Sequence, residues 1–148
     1  MHVKSAHVPV GNMVASLRGF PRSATHFPGE PVSNFNHPGL IQDINDALGP
    51  FRRSQAETMQ GFGQLARASM AEGALSAKHK ELMALAIGIT QHCSGCIGFH
   101  VKALIRLQCT RQELEEMLSV CVYMGGGPAL MYAAETLKAW DSLQPTAA

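Results

Sequence analysis

Apolar residues downstream of residue 38 recur at the three- and four-residue spacing of amphipathic α-helices. Gly49-Pro50 predicts the end of a first helix, because glycine commonly follows a helix end and proline fits the first turn of the next helix. A second helix is then predicted over residues 51–70. The apolar stripe of the first helix consists of Leu40, Ile41, Ile44 and Leu48.

Four further helices follow from capping and breaking signals. Ser76 is a predicted N-cap, and the helix after it, to about residue 91, is apolar on most sides, which is typical of a central or interface helix. A fourth helix is predicted from near Cys93 to about residue 107. The last two are predicted from the capping box Thr110-x2-Glu113 to about Tyr123, and from Pro128, after three glycines, through Trp140. Since no alternating strand pattern is present, the fold class predicted is all-α, with about six helices in a compact protomer.

Residues 1–38 differ from the rest of the chain in having many prolines and no sustained apolar period. We interpret them as an irregular N-terminal arm that precedes a helical domain over residues 39–148. The histidines of the arm match no metal-ligand spacing, and we expect them to be solvated loop residues. They are His2, His7, His26 and His37.

The composition indicates one globular domain. Of 148 residues, 46% are hydrophobic and 16% are charged, and the formal net charge is +1. Neither disorder nor a dense basic surface for nucleic acid is therefore expected. The longest apolar stretch, residues 82–89, is far shorter than a membrane span, and the first ten residues contain no apolar signal-peptide core. We expect a small cytoplasmic protein that binds neither nucleic acid nor membrane.

The most informative motif is Cys93-Ser-Gly-Cys96, followed by His100. At a helix start, free N–H groups and the positive end of the helix dipole stabilise a thiolate. Cys96 and His100 share a helix face, so the imidazole can move the thiol proton. Glu81 on the preceding helix is the candidate carboxylate that orients this histidine. From spacing alone, Glu81 could instead belong to a solvated first turn.

The helix that carries Glu81 has a feature that would bring it close to a neighbour. Glu81 shares a face with Gly88 at helical spacing, and a glycine lets another helix approach closely because it has no side chain. We expect Cys109 and Cys121, in contrast, to be packed thiols, since a free cysteine behaves as a small apolar residue. Tyr132 is expected in the interior, as is Trp140.

Three interpretations of the cysteine motif stay open from the residues alone. Two thiols three positions apart can form a disulfide after local distortion of the helix start, which suits a couple that cycles. Cys93, Cys96 and His100 could instead bind zinc, with Glu81 or Cys121 as a fourth ligand, although no second ligand pair follows at zinc-finger spacing. They could also be incidental residues of a non-catalytic helical oligomer. We favour redox chemistry and expect no metal ion and no cofactor.

The motif and its surroundings resemble a known family. The segment Glu81-x11-Cys93-Ser-Gly-Cys96-x3-His100 is similar to the motif of the alkylhydroperoxidase D-like proteins of the carboxymuconolactone decarboxylase superfamily. The resemblance covers about residues 40–142. It implies an all-helical protomer that assembles into homo-trimers or homo-hexamers, and a thiol-dependent peroxidase or a disulfide-reducing partner of a peroxide-reducing system.

The resemblance also implies roles for the residues of the motif. Cys96 would attack a hydroperoxide substrate and Cys93 would resolve the product as a disulfide. Glu81 and His100 would form a proton relay linked through water, and an external dithiol of the lipoyl or thioredoxin type would be the reductant. Peroxidase members carry a histidine where this chain has Gly95, which removes one helper of the dithiol. Decarboxylase members act on a cyclic lactone and lack the cysteine pair, so the pair argues against that lyase reaction.

Overall fold

The computed structural model describes residues 36–145, and this part of the chain is helical without any strand. The all-α prediction is therefore confirmed, although the helices number five rather than six because two predicted helices are merged. The helices are α1 (His37–Ser54), α2 (Ala56–Met70), α3 (Ala77–Thr90), α4 (Ser94–Arg106) and α5 (Arg111–Leu143).

Helix α1 begins earlier and ends later than the sequence predicted. The Asn36 side chain accepts a hydrogen bond from the backbone N–H of Gly39 at 3.1 Å, so Asn36 is the N-cap and His37 already belongs to the helix. The predicted break at Gly49-Pro50 is wrong, because α1 continues to Ser54. Pro50 is exposed, so water can hydrate the carbonyl that the missing proline N–H leaves without its helical partner. Residues 1–35, the rest of the predicted arm, lie outside the described residues.

Helix α5 combines the fifth and sixth predicted helices. Its start is the predicted capping box: Thr110 Oγ1 accepts from the backbone N–H of Glu113 at 3.1 Å, and the Glu113 carboxylate accepts from that of Thr110 at 2.7 Å. At Gly126 the backbone leaves the helical conformation, with φ of 63° and ψ of −146°. The predicted break is thus a kink, at a left-handed φ that glycine adopts readily.

Helices α3, α4 and α5 supply most of the core. Cys121 and Trp140 are buried within it, as predicted, whereas α2 contributes no buried residue and exposes Phe62 and Leu65. The fully buried residues of the core include Leu85, Ile89, Ile97, Val101, Leu104 and Leu114.

Among the described helices, α5 is long and apolar enough by composition to cross a membrane. Both halves of this helix nevertheless contribute buried residues to the described part of the fold. Leu114 and Leu118 of its first half belong to the core, and its second half, beyond the kink at Gly126, carries the buried carboxylate of Glu135.

Candidate active site

The turn between α3 and α4 places Cys93 immediately before the helix. Cys93 is the N-cap of α4, with φ of −105° and ψ of 90°, and its sulfur accepts the backbone N–H of Cys96 at 3.2 Å. The backbone N–H of Cys93 donates in turn to the carbonyl of Gly88 at 3.0 Å. The cysteine motif therefore lies at a helix N-terminus, as predicted, where a thiolate is stabilised by N–H donors.

Cys93 and Cys96 form a disulfide, with their Cα atoms 5.2 Å apart. This separation lies within the range that disulfides require. It is reached because Cys93 has an extended backbone and only Cys96 belongs to the helix. Both cysteines are half-buried, so small reagents in solution have access to this segment.

His100 and Glu81 form a direct hydrogen bond between α4 and α3. Nδ1 of His100 lies 2.7 Å from Oε2 of Glu81, and the side chains are 32% and 15% exposed. A carboxylate can only accept, so Nδ1 carries the proton and the lone pair of Nε2 is left for other partners. Glu81 is thus not a residue of a solvated turn. The two side chains are in direct contact, whereas the resemblance implies a link through water.

The close approach of α3 to α4 explains how Glu81 reaches His100. A Cβ atom built on Gly88 would lie 3.1 Å from Cβ of Cys96, closer than side chains normally pack. Gly88 therefore lies directly against the cysteine segment, as predicted. Because the chain reverses direction between the two helices, the earlier residue Glu81 lies beside the later residue His100.

Two further elements border the cysteine motif, and the sequence predicted neither contact. On α1, Cδ1 of Ile44 lies 3.0 Å from the position of a Cβ atom on Gly95, the residue between Ser94 and Cys96. On α5, the ring of Tyr132 stacks on that of His92, with centroids 4.7 Å apart and planes 9° apart. Tyr132 is half-buried rather than interior.

A second histidine–carboxylate pair was missed by the sequence interpretation. His37, expected to be solvated, is buried, and its Nε2 lies 3.2 Å from Oε1 of Glu135 on α5. Glu135 interrupts an otherwise apolar helix, and a buried carboxylate requires a polar partner. An acidic residue next to the core stripe of Ala129, Ala133 and Thr136 was therefore the signal that a partner should be sought.

The two remaining cysteines are buried and lie outside the disulfide. Burial raises the pKa of the Cys109 thiol to about 11, helped by the nearby Glu113. Burial also raises the pKa of Cys121. Both residues therefore stay protonated near neutral pH, and the predictions of packed thiols are confirmed.

The zinc interpretation finds no ligand cluster within residues 36–145. No group of three or more histidine, cysteine, aspartate or glutamate side chains is placed there to hold a metal ion. In the disulfide state the two sulfurs are bonded to each other, and Nδ1 of His100 is engaged by Glu81.

The described residues thus form an all-helical fold with a half-buried cysteine pair. The sequence profile of the Carboxymuconolactone decarboxylase family matches residues 56–139. This match spans more than half of the chain, and the protein therefore belongs to that family.

The chain is also similar to two uncharacterized proteins. An uncharacterized protein of Cupriavidus necator is 35% identical over 103 residues, which cover 70% of this chain and 91% of the relative. A Paracoccus denitrificans protein described as uncharacterized protein 4 in cox locus is 32% identical over 97 residues, covering 66% and 87%.

Two solved structures share the fold of this chain. The crystal structure of an apo carboxymuconolactone decarboxylase family protein from Legionella pneumophila has 48% identity and a TM-score of 0.72, covering 74% of this chain and 97% of its own. A Thermotoga maritima protein with 22% identity and a TM-score of 0.60, covering 72% and 91%, shares the fold.

Proposed function

We propose that this protein is a thiol-dependent peroxidase or disulfide oxidoreductase that cycles Cys93 and Cys96 between dithiol and disulfide. The observation that carries the proposal is the disulfide at the start of α4, on the helix whose His100 is held by Glu81. A lowered thiol pKa alone accelerates such chemistry little, because nucleophilicity falls as the thiolate population rises. A group that moves protons beside the thiol is the missing requirement, and His100 meets it.

In the proposed first step, Nε2 of His100 takes the proton of the Cys96 thiol, one helical turn away. The thiolate attacks one oxygen of the hydroperoxide, so the S–O bond forms and the O–O bond breaks. The proton on His100 passes to the departing alkoxide, which leaves as an alcohol. Cys96 is then a sulfenic acid, and Glu81 has held the imidazole in one tautomer throughout.

In the proposed second step, the Cys93 thiolate attacks the sulfur of the sulfenic acid. The S–S bond forms, the S–O bond breaks, and the hydroxide leaves as water after taking a proton. The N-cap position supports this role, because the backbone N–H of Cys96 hydrogen-bonds to the Cys93 sulfur. An external dithiol of the lipoyl or thioredoxin type then reduces the disulfide by thiol–disulfide exchange and is itself oxidised.

The test uses single cysteine variants and one equivalent of hydroperoxide. Cys96→Ser should lose peroxide consumption. Cys93→Ser should react once and stop as a sulfenic acid, which mass spectrometry detects after trapping. Cys109→Ala is the matched control, since it removes a buried thiol outside the motif and should retain turnover. Full peroxide consumption by Cys96→Ser would refute the proposed roles.

The family name also allows a lyase that acts on a cyclic lactone. The cysteine pair distinguishes the two activities, because decarboxylation of a lactone needs no dithiol. If the protein were such a lyase, Cys93→Ser would decarboxylate the lactone as fast as the wild type does. We expect no lactone turnover in either protein.

Apolar surface supports the further proposal that the active form is a homo-oligomer, a trimer or a hexamer. Tyr123, Met124 and Met131 on α5 are largely exposed, as are Phe62 and Leu65 on α2. Large apolar patches are uncommon on monomers and usually mark contacts with other chains. Light scattering coupled to size-exclusion chromatography would give the subunit number.

A cytoplasmic location fits a dithiol that must be reduced again after each cycle.

A further inference from the structure

Helix α1 contacts the cysteine motif through the side chain of Ile44. Cδ1 of Ile44 lies 3.0 Å from the position that a Cβ atom on Gly95 would occupy. Ile44 and Gly95 are both half-buried, so this contact lies where the motif meets solvent. The space that a side chain at position 95 would fill, beside the disulfide, is taken by a side chain of another helix.

Ile44 is held in this place by the rest of the same helix face. One turn earlier, Cγ1 of Ile41 lies 3.2 Å from a Cβ position on Gly98 of α4. One turn earlier again, buried His37 contacts buried Glu135 of α5. Residues 37, 41 and 44 share a face of α1, and two glycines of α4 let that face approach the redox helix closely. The family profile starts at residue 56, so α1 lies outside the matched region.

The other borders of the motif are also occupied. Gly88 of α3 packs against Cys96, and His92, which precedes Cys93 in the sequence, stacks on Tyr132 of α5. Residues of α1, α3 and α5 therefore lie around the half-exposed cysteine motif. Of these, Ile44 is the aliphatic side chain that contacts Gly95, a residue between the two cysteines.

We infer that Ile44 is a specificity-determining residue of the dithiol site, limiting the size of the molecule that reaches the Cys93–Cys96 pair. The inference rests on the proposed function, since it concerns which hydroperoxides and which dithiols react there. Small hydroperoxides and slender dithiols pass Ile44, and bulky ones are slowed.

The experiment measures access to the thiols without requiring peroxidase activity. The full chain is reduced and then treated with N-ethylmaleimide or with the bulkier pyrenyl maleimide, which share one reactive group. Mass spectrometry follows labelling of the peptide that contains Cys93 and Cys96. The rate ratio of small to bulky probe should fall severalfold in Ile44→Ala and rise in Ile44→Phe. Leu48→Ala, one turn further along α1 and also half-buried, should keep the wild-type ratio.

Buried Cys109 and Cys121 are internal reporters of unfolding, because they react only when the fold opens. If they become labelled in Ile44→Ala, Ile44→Val is measured instead, since it removes only the Cδ1 methyl group. An unchanged ratio in the folded variant and in Ile44→Phe overturns the inference, whatever the peroxidase activity.

Peroxide assays separate this result from the proposed function. In Ile44→Ala, consumption of cumene hydroperoxide should rise relative to that of hydrogen peroxide. A shifted maleimide ratio without peroxide consumption by any variant would support the role of Ile44 in access and would refute the peroxidase proposal alone.

Discussion

The protein contains two histidine–carboxylate pairs with similar chemistry and different surroundings. His100 and Glu81 connect α4 to α3 and are partly exposed, and His100 lies on the helix that begins with the cysteine motif. His37 and Glu135 connect α1 to α5, and their side chains are 0% and 5% exposed. Both pairs contact α4 or pack near it, but only the first has a thiol one turn away.

The difference shows that surroundings decide what such a pair can do. A proton taken by His100 can pass to a substrate or to water, because solvent reaches the side chain. A proton on buried His37 has no such route, while breaking a buried polar pair is costly. The first pair can therefore exchange protons with solvent, and the second holds α1 in position against α5.

The largest expected effect comes from exchanging one carboxylate of each pair for an amide. Glu81→Gln should lower peroxide turnover by about a hundredfold, within the range that a positioned acid–base group contributes. Glu135→Gln should leave turnover near the wild-type value. Steady-state kcat/KM for hydrogen peroxide, measured on folded variants, checks both expectations.

A pH profile separates proton transfer from a merely structural role of Glu81. In Glu81→Gln, alkylation of Cys96 by iodoacetamide should need higher pH than in the wild type, because the amide no longer stabilises a protonated imidazole beside the thiolate. An unchanged alkylation profile would remove Glu81 from the relay.

The buried pair, in contrast, should affect the free energy of unfolding. His37→Ala removes a buried hydrogen bond and leaves a cavity, and should lower the free energy of unfolding by about 3 kcal/mol. His79→Ala is the control, because His79 is exposed on α3 and its loss should cost less than about 0.5 kcal/mol. Urea unfolding measures both. Equal losses for the two variants would show that the buried pair does not anchor α1.

Local signals account for the part of the fold and site that the sequence could predict. The N-caps Ser76 and Thr110 and the start of α4 were identified because capping depends on neighbouring residues. Spacing alone left Glu81 open between the site and a solvated first turn, and the packing of α3 against α4 brings it to His100. The cysteine motif was recognised because Cys93, Cys96 and His100 lie close together in the sequence.

The parts that could not be predicted depend on distant residues or on solvent. His37 and Glu135 are separated by 98 positions, and nothing near His37 indicates its burial. The contact of Ile44 with Gly95 likewise depends on how α1 packs on α4. Gly49-Pro50 was interpreted as a break because proline fits the first turn of a new helix, and the sequence does not show the exposure of Pro50 with which α1 continues.

A double-mutant cycle tests whether α1 contacts the cysteine motif through Ile44. Gly95→Ala places a Cβ atom against Cδ1 of Ile44, which offsets the roughly 0.5–1 kcal/mol that alanine adds to helix stability over glycine. Ile44→Val removes that Cδ1 atom, so in this background Gly95→Ala should be stabilising. The coupling free energy from urea unfolding should be about 1 kcal/mol, and a strictly additive pair would contradict the contact.

The smallest expected effect concerns a third ion pair, Lys78 and Glu113, whose side chains are 29% and 37% exposed. Lys78 donates to Glu113 at 2.6 Å, and this hydrogen bond, with that from the Thr110 backbone, lowers the pKa of Glu113 from 4.5 to about 2. A lowered carboxyl pKa stabilises the fold above pH 4.5, and the stabilisation is lost as the pH falls toward 2. Wild type should therefore melt slightly higher than Glu113→Gln above pH 4.5, and the difference should shrink on acidification.

Because solvent screens exposed ion pairs, added salt should reduce the same difference, whereas the loss caused by His37→Ala should persist. A Glu113→Gln difference that ignored both pH and salt would show that the capping hydrogen bonds, rather than charge, account for it.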